Sequence, residues 1–144
     1  MCGRPRSDGA IELGRYSKGV EGAVRKALEL EVRICVAIVD VGGNLVAFLR
    51  IPGAPLHSIS ISEDKAYTAV SFGMPTSRWH DEHKTQSEAV RQGLPLRPRF
   101  VAFGGGLPIC VAGEVIGGIG VSGASEEQDE ACAQAALAAM GLLR

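Results

Sequence analysis

A chain of 144 residues, 46% of them apolar, has the length and content of one domain with one core. Its 15 basic and 16 acidic residues, a formal charge of −1, exclude the basic footprint of a nucleic-acid binder, and no run reaches the roughly 18 to 20 apolar residues that cross a bilayer. The opening MCGRPRSDGA lacks the apolar core of a signal peptide, so the expectation is a cytoplasmic protein with a flexible segment over residues 1–10 and a single domain over 11–144.

From Ile11 to Leu30, Leu13, Tyr16, Val20, Ala23, Val24, Ala27 and Leu28 recur at three and four residues, which predicts a helix with one buried face. Ile34 to Asp40 is β-branched and short, and Leu45 to Ile51 follows after Val41-Gly42-Gly43-Asn44. This predicts a β-hairpin stopped by Pro52-Gly53. A second helix is expected from about Leu56 to Phe72, ended by Gly73 with Pro75 beyond. Thr76 is placed to cap a polar surface helix through about Arg91.

After the loop from Gly93 to Pro98, Phe100 to Phe103, Leu107 to Ala112 and Val115 to Val121 read as three strands, the last two joined at Ala112-Gly113-Glu114. Ser125 and Gln128 have the spacing of a capping box, with Glu126 and Glu127 in the first turn where the helix dipole favours negative charge. Cys132, Ala135, Ala136, Ala139 and Met140 then form a stripe of mostly small residues before Gly141. The order helix, two strands, two helices, three strands, helix lacks the alternation of a parallel sheet. It points to an α+β fold with an antiparallel five-stranded sheet and flanking helices.

The densest glycine clusters are Gly104-Gly105-Gly106 and the run from Gly117 to Gly123. Glycine inside a strand means that something approaches the backbone closely. Either a helix packs there or the chain bulges, or a ligand lies against bare amides. The letters Gly118-x-Gly120-x-x-Gly123 match a dinucleotide fingerprint, but no strand-helix-strand unit surrounds them and two glutamates sit at the helix start, so a nucleotide is not expected.

Lys65 borders the core-facing Ala66 and Ala69. It reads either as a snorkelling surface lysine or as an ammonium that grips a carboxylate or moves a proton. Arg50, ending the second strand, is either an anion ligand or an edge charge that blocks aggregation. His80 and His83 stand one helical turn apart and could reach one metal, although Asp81, Glu82 and Lys84 beside them suggest a solvated face. His57 could reach a heme iron. Cys2, Cys35, Cys110 and Cys132 form no CxxC pair and read as one terminal thiol and three small buried hydrophobes. Ser58, Ser60 and Ser62 have no base at a triad spacing.

The ordered motifs Asp40-x-Gly42-Gly43, Arg50 with Gly53-Ala54, Lys65-Ala66-x-Thr68-Ala69, Phe72-Gly73-Met74-Pro75-Thr76, Gly105-Gly106-x-Pro108-Ile109, Gly117-x-Ile119-Gly120-Val121-Ser122-Gly123 and Gln128-Asp129-Glu130 together resemble the GlcG/HbpS family over roughly residues 15 to 142. The resemblance implies a profilin-like domain, usually oligomeric, some of whose members bind heme. Other members belong to catabolic operons. It also implies that position 57 is often aliphatic, which makes His57 a feature of this chain.

The expectation is therefore a small-ligand-binding homo-oligomer with heme as the candidate cofactor and no nucleic-acid or membrane partner. Its pocket is expected between the helix bearing Lys65 and Thr68, the loop Gly104, Gly105 and Gly106, and a neighbouring subunit. Arg50 and Lys65 would hold carboxylates, and His57, His80 or His83 would reach iron. The alternative is a cofactor-independent isomerase or lyase acting on an acidic or aromatic metabolite, with Lys65 as acid or base and Arg50 orienting the carboxylate.

Overall fold

A computed structural model describes residues 9–142. Of the segment 1–10, residues 1–8, with Cys2, lie outside the described residues, and the first helix already begins at Gly9. The helices are α1 (Gly9–Glu29), α2 (His57–Phe72), α3 (Trp79–Glu82), α4 (Glu88–Gly93) and α5 (Glu126–Ala139), and the strands are β1 (Cys35–Asp40), β2 (Leu45–Arg50), β3 (Gly106–Val111) and β4 (Glu114–Ser122). The strands form one antiparallel sheet in the order β2-β1-β4-β3.

The sheet has four strands among the described residues, not five. Phe100 to Phe103 forms no strand: residues 100–102 are irregular and Phe103 lies in a bend. Side chains take its flanking backbone groups instead: the Thr68 hydroxyl bridges Arg99 and Val101, and Glu126 accepts from the Gly104 amide. The helix expected from Thr76 to Arg91 is also corrected. It breaks into a 3-10 turn at Thr76–Arg78, α3, a second turn at His83–Thr85, α4, and a third turn at Leu94–Leu96. Without an apolar stripe, no core contact favours one continuous helix. Thr76 caps nothing; its hydroxyl accepts from the Gly106 amide at 2.9 Å. Ser87 opens α4 by accepting from the Val90 amide.

The two faces of the sheet differ in chemistry, and the period-2 alternation of β1 and β4 is the reason. Val36, Ile38, Ile119 and Val121 meet Val20, Ala23 and Ala27 of α1 and Cys132, Ala133 and Ala136 of α5 in a branched, dry core. Gly22 lets the two helices approach, since a methyl group there would sit 2.6 Å from the Ala139 Cβ. Leu13 and Leu28, expected in this face, are 60% and 64% exposed.

On the opposite face, Ala37 lies across from Gly120 and Val39 across from Gly118, and α2 rests on them. A side chain at Gly120 would run into the Ser62 carbonyl and come within 2.6 Å of the Ala66 nitrogen. These glycines admit a helix against the bare strand.

Apart from the cap expected at Thr76, the turn and cap signals read from sequence are present. The Asp40 carboxylate accepts from the Gly42 and Asn44 amides at 2.9 and 3.0 Å, closing the first hairpin. Ala112 and Gly113 both have positive φ, 52° and 80°, as a two-residue hairpin loop requires. Gly73 ends α2 in the left-handed conformation, and Ser125 with Gln128 forms a complete capping box on α5.

Candidate functional site

Lys65 is 1% exposed. Its Nζ donates to the Val121 carbonyl at 2.8 Å and to Asp129 Oδ2 at 3.1 Å, and it lies 5.0 Å from the centre of the Phe103 ring. Asp129 in turn accepts from the Ala124 amide at 3.0 Å, so it ties the start of α5 to α2 through the lysine. Burial pushes the Lys65 ammonium below its ordinary value and the Asp129 carboxyl above its own, and their mutual attraction opposes both shifts. Lys65 is thus neither the snorkelling cation nor the ligand grip weighed from sequence. It is an internal strut.

The loop Gly104, Gly105 and Gly106 is packed on protein rather than open to a ligand. A methyl group at Gly105 would lie 2.6 Å from the Lys65 nitrogen, and one at Gly106 would lie 2.5 Å from the Lys65 carbonyl and 2.7 Å from the Thr76 methyl. Arg50 turns back on its own chain, with Nε and Nη2 donating to the Ala54 carbonyl at 3.2 and 2.6 Å. Thr68 is buried and bonds backbone. His57 opens α2 with its side chain exposed. Cys35 and Cys132 are buried as expected, whereas Cys110 is exposed on β3. Burial, with the Asp129 charge second, pushes the Cys132 thiol up to about 11.

A cavity of about 240 Å³ lies instead beneath the broken segment from Trp79 to Pro95. Trp79, Val90, Leu94 and Pro95 give it an apolar lining together with Phe100 and Ala102, which come from beyond that segment and form its floor, and His80, His83, Gln86 and Arg91 supply polar groups. Phe72, Trp79 and Phe100 meet edge to face, with ring centres 4.9, 6.0 and 5.0 Å apart. The indole Nε1 of Trp79 is buried without a hydrogen-bond partner.

His83 Nδ1 lies 2.6 Å from the Trp79 carbonyl. A carbonyl only accepts, so Nδ1 carries the proton, which in the neutral ring leaves Nε2 with its lone pair. That is how proteins orient an imidazole for a metal, with the second nitrogen tied to a carbonyl or carboxylate. The structure therefore brings together His80 and His83 of the residues singled out from sequence, and leaves Arg50, His57, Lys65, Thr68 and the glycine loop outside the cavity lining. Trp79, Arg91 and Phe100 were missed. The available signal was a lone tryptophan and two histidines in a stretch otherwise too polar for a core.

A family model described as haem degrading protein HbpS-like matches residues 15–138. An uncharacterized 15.0 kDa protein from the dhaT-dhaS intergenic region of Citrobacter freundii is 40% identical over 129 residues, covering 88% of this chain and 89% of that protein. The corrinoid adenosyltransferase PduO of Salmonella typhimurium is 39% identical over 122 residues, covering 83% of this chain but only 36% of PduO. The crystal structure of a PduOC:heme complex superposes with a TM-score of 0.81 at 34% identity, covering 91% of this chain and 96% of that one. The family model covers most of the chain and the 40% identical relative matches it nearly end to end, and the chain belongs to the HbpS-like family.

Proposed function

We propose that this is a cytoplasmic small-ligand-binding protein that takes heme at the cavity between Trp79 and Phe100, with His83 Nε2 as the iron ligand. The observation that carries the reading is the His83 ring, fixed by the Trp79 carbonyl with its free nitrogen available beside an apolar, aromatic floor. The likeness to a heme-bound domain over nearly the whole chain supports it.

The residues present fit the group at one edge. A cavity of about 240 Å³ is below the roughly 300 Å³ at which pockets enclose a drug-sized ligand, so it seats part of a macrocycle and leaves the rest outside. When bound, heme supplies an iron centre that accepts a nitrogen ligand. Phe100, Leu94 and Val90 exclude water from the seated edge. Arg91 offers a guanidinium to a propionate carboxylate, and His80 stands on the same rim.

An acid or base role for Lys65 has no geometric support, because its nitrogen is buried and committed to Val121 and Asp129. Assembly as a homo-oligomer is part of the proposal and draws on the exposed leucines of the edge strand β2, Leu45 and Leu49, which are 49% and 37% exposed. No described helix is long and apolar enough to cross a membrane.

Hemin titration tests the reading. The expected result is a saturable Soret shift that His83→Ala abolishes and His57→Ala leaves in place. A linear response, or dependence on His57 alone, would contradict it.

A further inference from the structure

Three non-glycine residues among those described have positive φ: Glu31, Arg99 and Ala112. Glu31 follows the end of α1 and Ala112 sits in a two-residue hairpin loop, where left-handed backbone is ordinary. Arg99, at φ 66°, follows Pro98 as the third residue of a β-turn that the Phe100 amide closes on the Arg97 carbonyl at 3.4 Å, a position that takes left-handed backbone and favours glycine. A residue other than glycine there costs energy, and contacts to its neighbours offset that cost.

The surroundings are three residues of α2, spaced so that they share one face. Asp64 Oδ1 accepts from Arg99 Nε at 2.9 Å. The Tyr67 ring lies 3.8 Å from the guanidinium carbon. The Thr68 hydroxyl, on a residue only 2% exposed, donates to the Arg99 carbonyl at 2.9 Å and accepts from the Val101 amide at 3.1 Å. Side chain, carbonyl and the amide two residues on are thus all fixed from one helix. Phe100 lies between the two backbone bonds, and its ring goes to the aromatic cluster and the cavity floor, with Ala102 next along.

We propose that Asp64, Tyr67 and Thr68 are positioning residues that clamp the turn at Arg99 and the Val101 amide onto α2 and thereby set the floor of the ligand pocket at Phe100 and Ala102. The link to affinity rests on the pocket being the ligand site, whereas the placement of the floor does not. Among the residues selected from sequence, Thr68 changes role: it shapes the pocket without touching what the pocket holds.

Thr68→Val keeps shape and removes the hydroxyl, leaving the Arg99 carbonyl and the Val101 amide without their partner. Trp79 is the chain's single tryptophan and its ring touches Phe100, so its emission reads the floor in ligand-free protein. The expected result is a red-shifted, more readily quenched Trp79 emission and hemin binding weakened about tenfold. The Soret position of the complex should stay unchanged because His83 is untouched, and Thr68→Ser should restore both emission and affinity.

Unchanged emission in Thr68→Val, or a loss of melting temperature with emission and affinity intact, would overturn the proposal. If the wild type takes up no hemin, the ligand reading fails by itself and the emission of the two Thr68 variants still decides where the floor lies. Should Thr68→Val not fold, Tyr67→Leu removes the stack from a half-buried position and must move Trp79 emission in the same direction; no movement there would equally overturn it.

Discussion

Lys65 shows what a single position can and cannot disclose. Its place beside Ala66 and Ala69 put it at the edge of the core, but its partner Asp129 is 64 residues away, and no spacing rule joins two residues that distant. The pair replaces water with one carboxylate, one carbonyl and a ring face. Removing either member strands the other, so Lys65→Met should cost about 3–5 kcal/mol, and the double variant with Asp129→Leu should cost less than the sum of the two single changes.

The pH dependence has a definite sign. Burial lowers the folded-state pKa of Lys65 below 10.5, so between the lowered value and 10.5 the unfolded chain holds a proton that the folded chain has released. Stability rises with pH across that interval. The melting temperature of the wild type should therefore pull further ahead of Lys65→Met as pH is raised toward 10.5, and a gap that narrows would show that burial does not dominate the lysine. Thr68, Arg50 and the glycine loop teach a related lesson. Residue type placed them in a site, but Thr68 bonds the Arg99 and Val101 backbone, Arg50 bonds the Ala54 carbonyl, and the glycines lie against Lys65 and Thr76.

At the scale of elements, periodicity succeeded wherever an element covers the sheet. Helices α1, α2 and α5 and all four strands carry a repeat of apolar or small residues because each must meet a neighbour on one side. The failures share a cause. Phe100 to Phe103 has strand-like residues, but α2 side chains satisfy the backbone around it, so no strand partner is needed. Residues 76–96 carry no stripe, so local hydrogen bonds cut them into single turns.

The contact of α2 with β4 is the tightest of these relations, and it explains the glycines that sequence left divided between packing and binding. Gly120→Ala should destabilise by about 3 kcal/mol, because the Ser62 carbonyl and the α2 backbone cannot yield as a side chain would. Gly113→Ala, which faces open space at φ 80°, should cost only about 1–2 kcal/mol from its left-handed backbone. Equal losses in chemical denaturation would contradict the close approach.

For the whole molecule, one sheet separates two different jobs. Its α1 and α5 face is a branched, dry core that supplies stability, while its α2 face is glycine-lined and carries the buried ion pair and the latch on Arg99. The cavity lies beyond that second face, where the chain from Trp79 to Pro95 folds back over Phe100. Sequence could nominate His80 and His83 by their spacing. It could not show that residues fifteen or twenty positions further on return to face them, since that return depends on the tertiary hold at Arg99.

Heme is proposed to sit in this cavity. Trp79 lines it and is the only tryptophan, so quenching of its emission during hemin titration reports location as well as binding. The account predicts strong, saturable quenching that runs in parallel with the Soret shift, survives His57→Ala and is lost with His83→Ala; a full Soret shift with Trp79 emission retained would place heme elsewhere on the protein and contradict it.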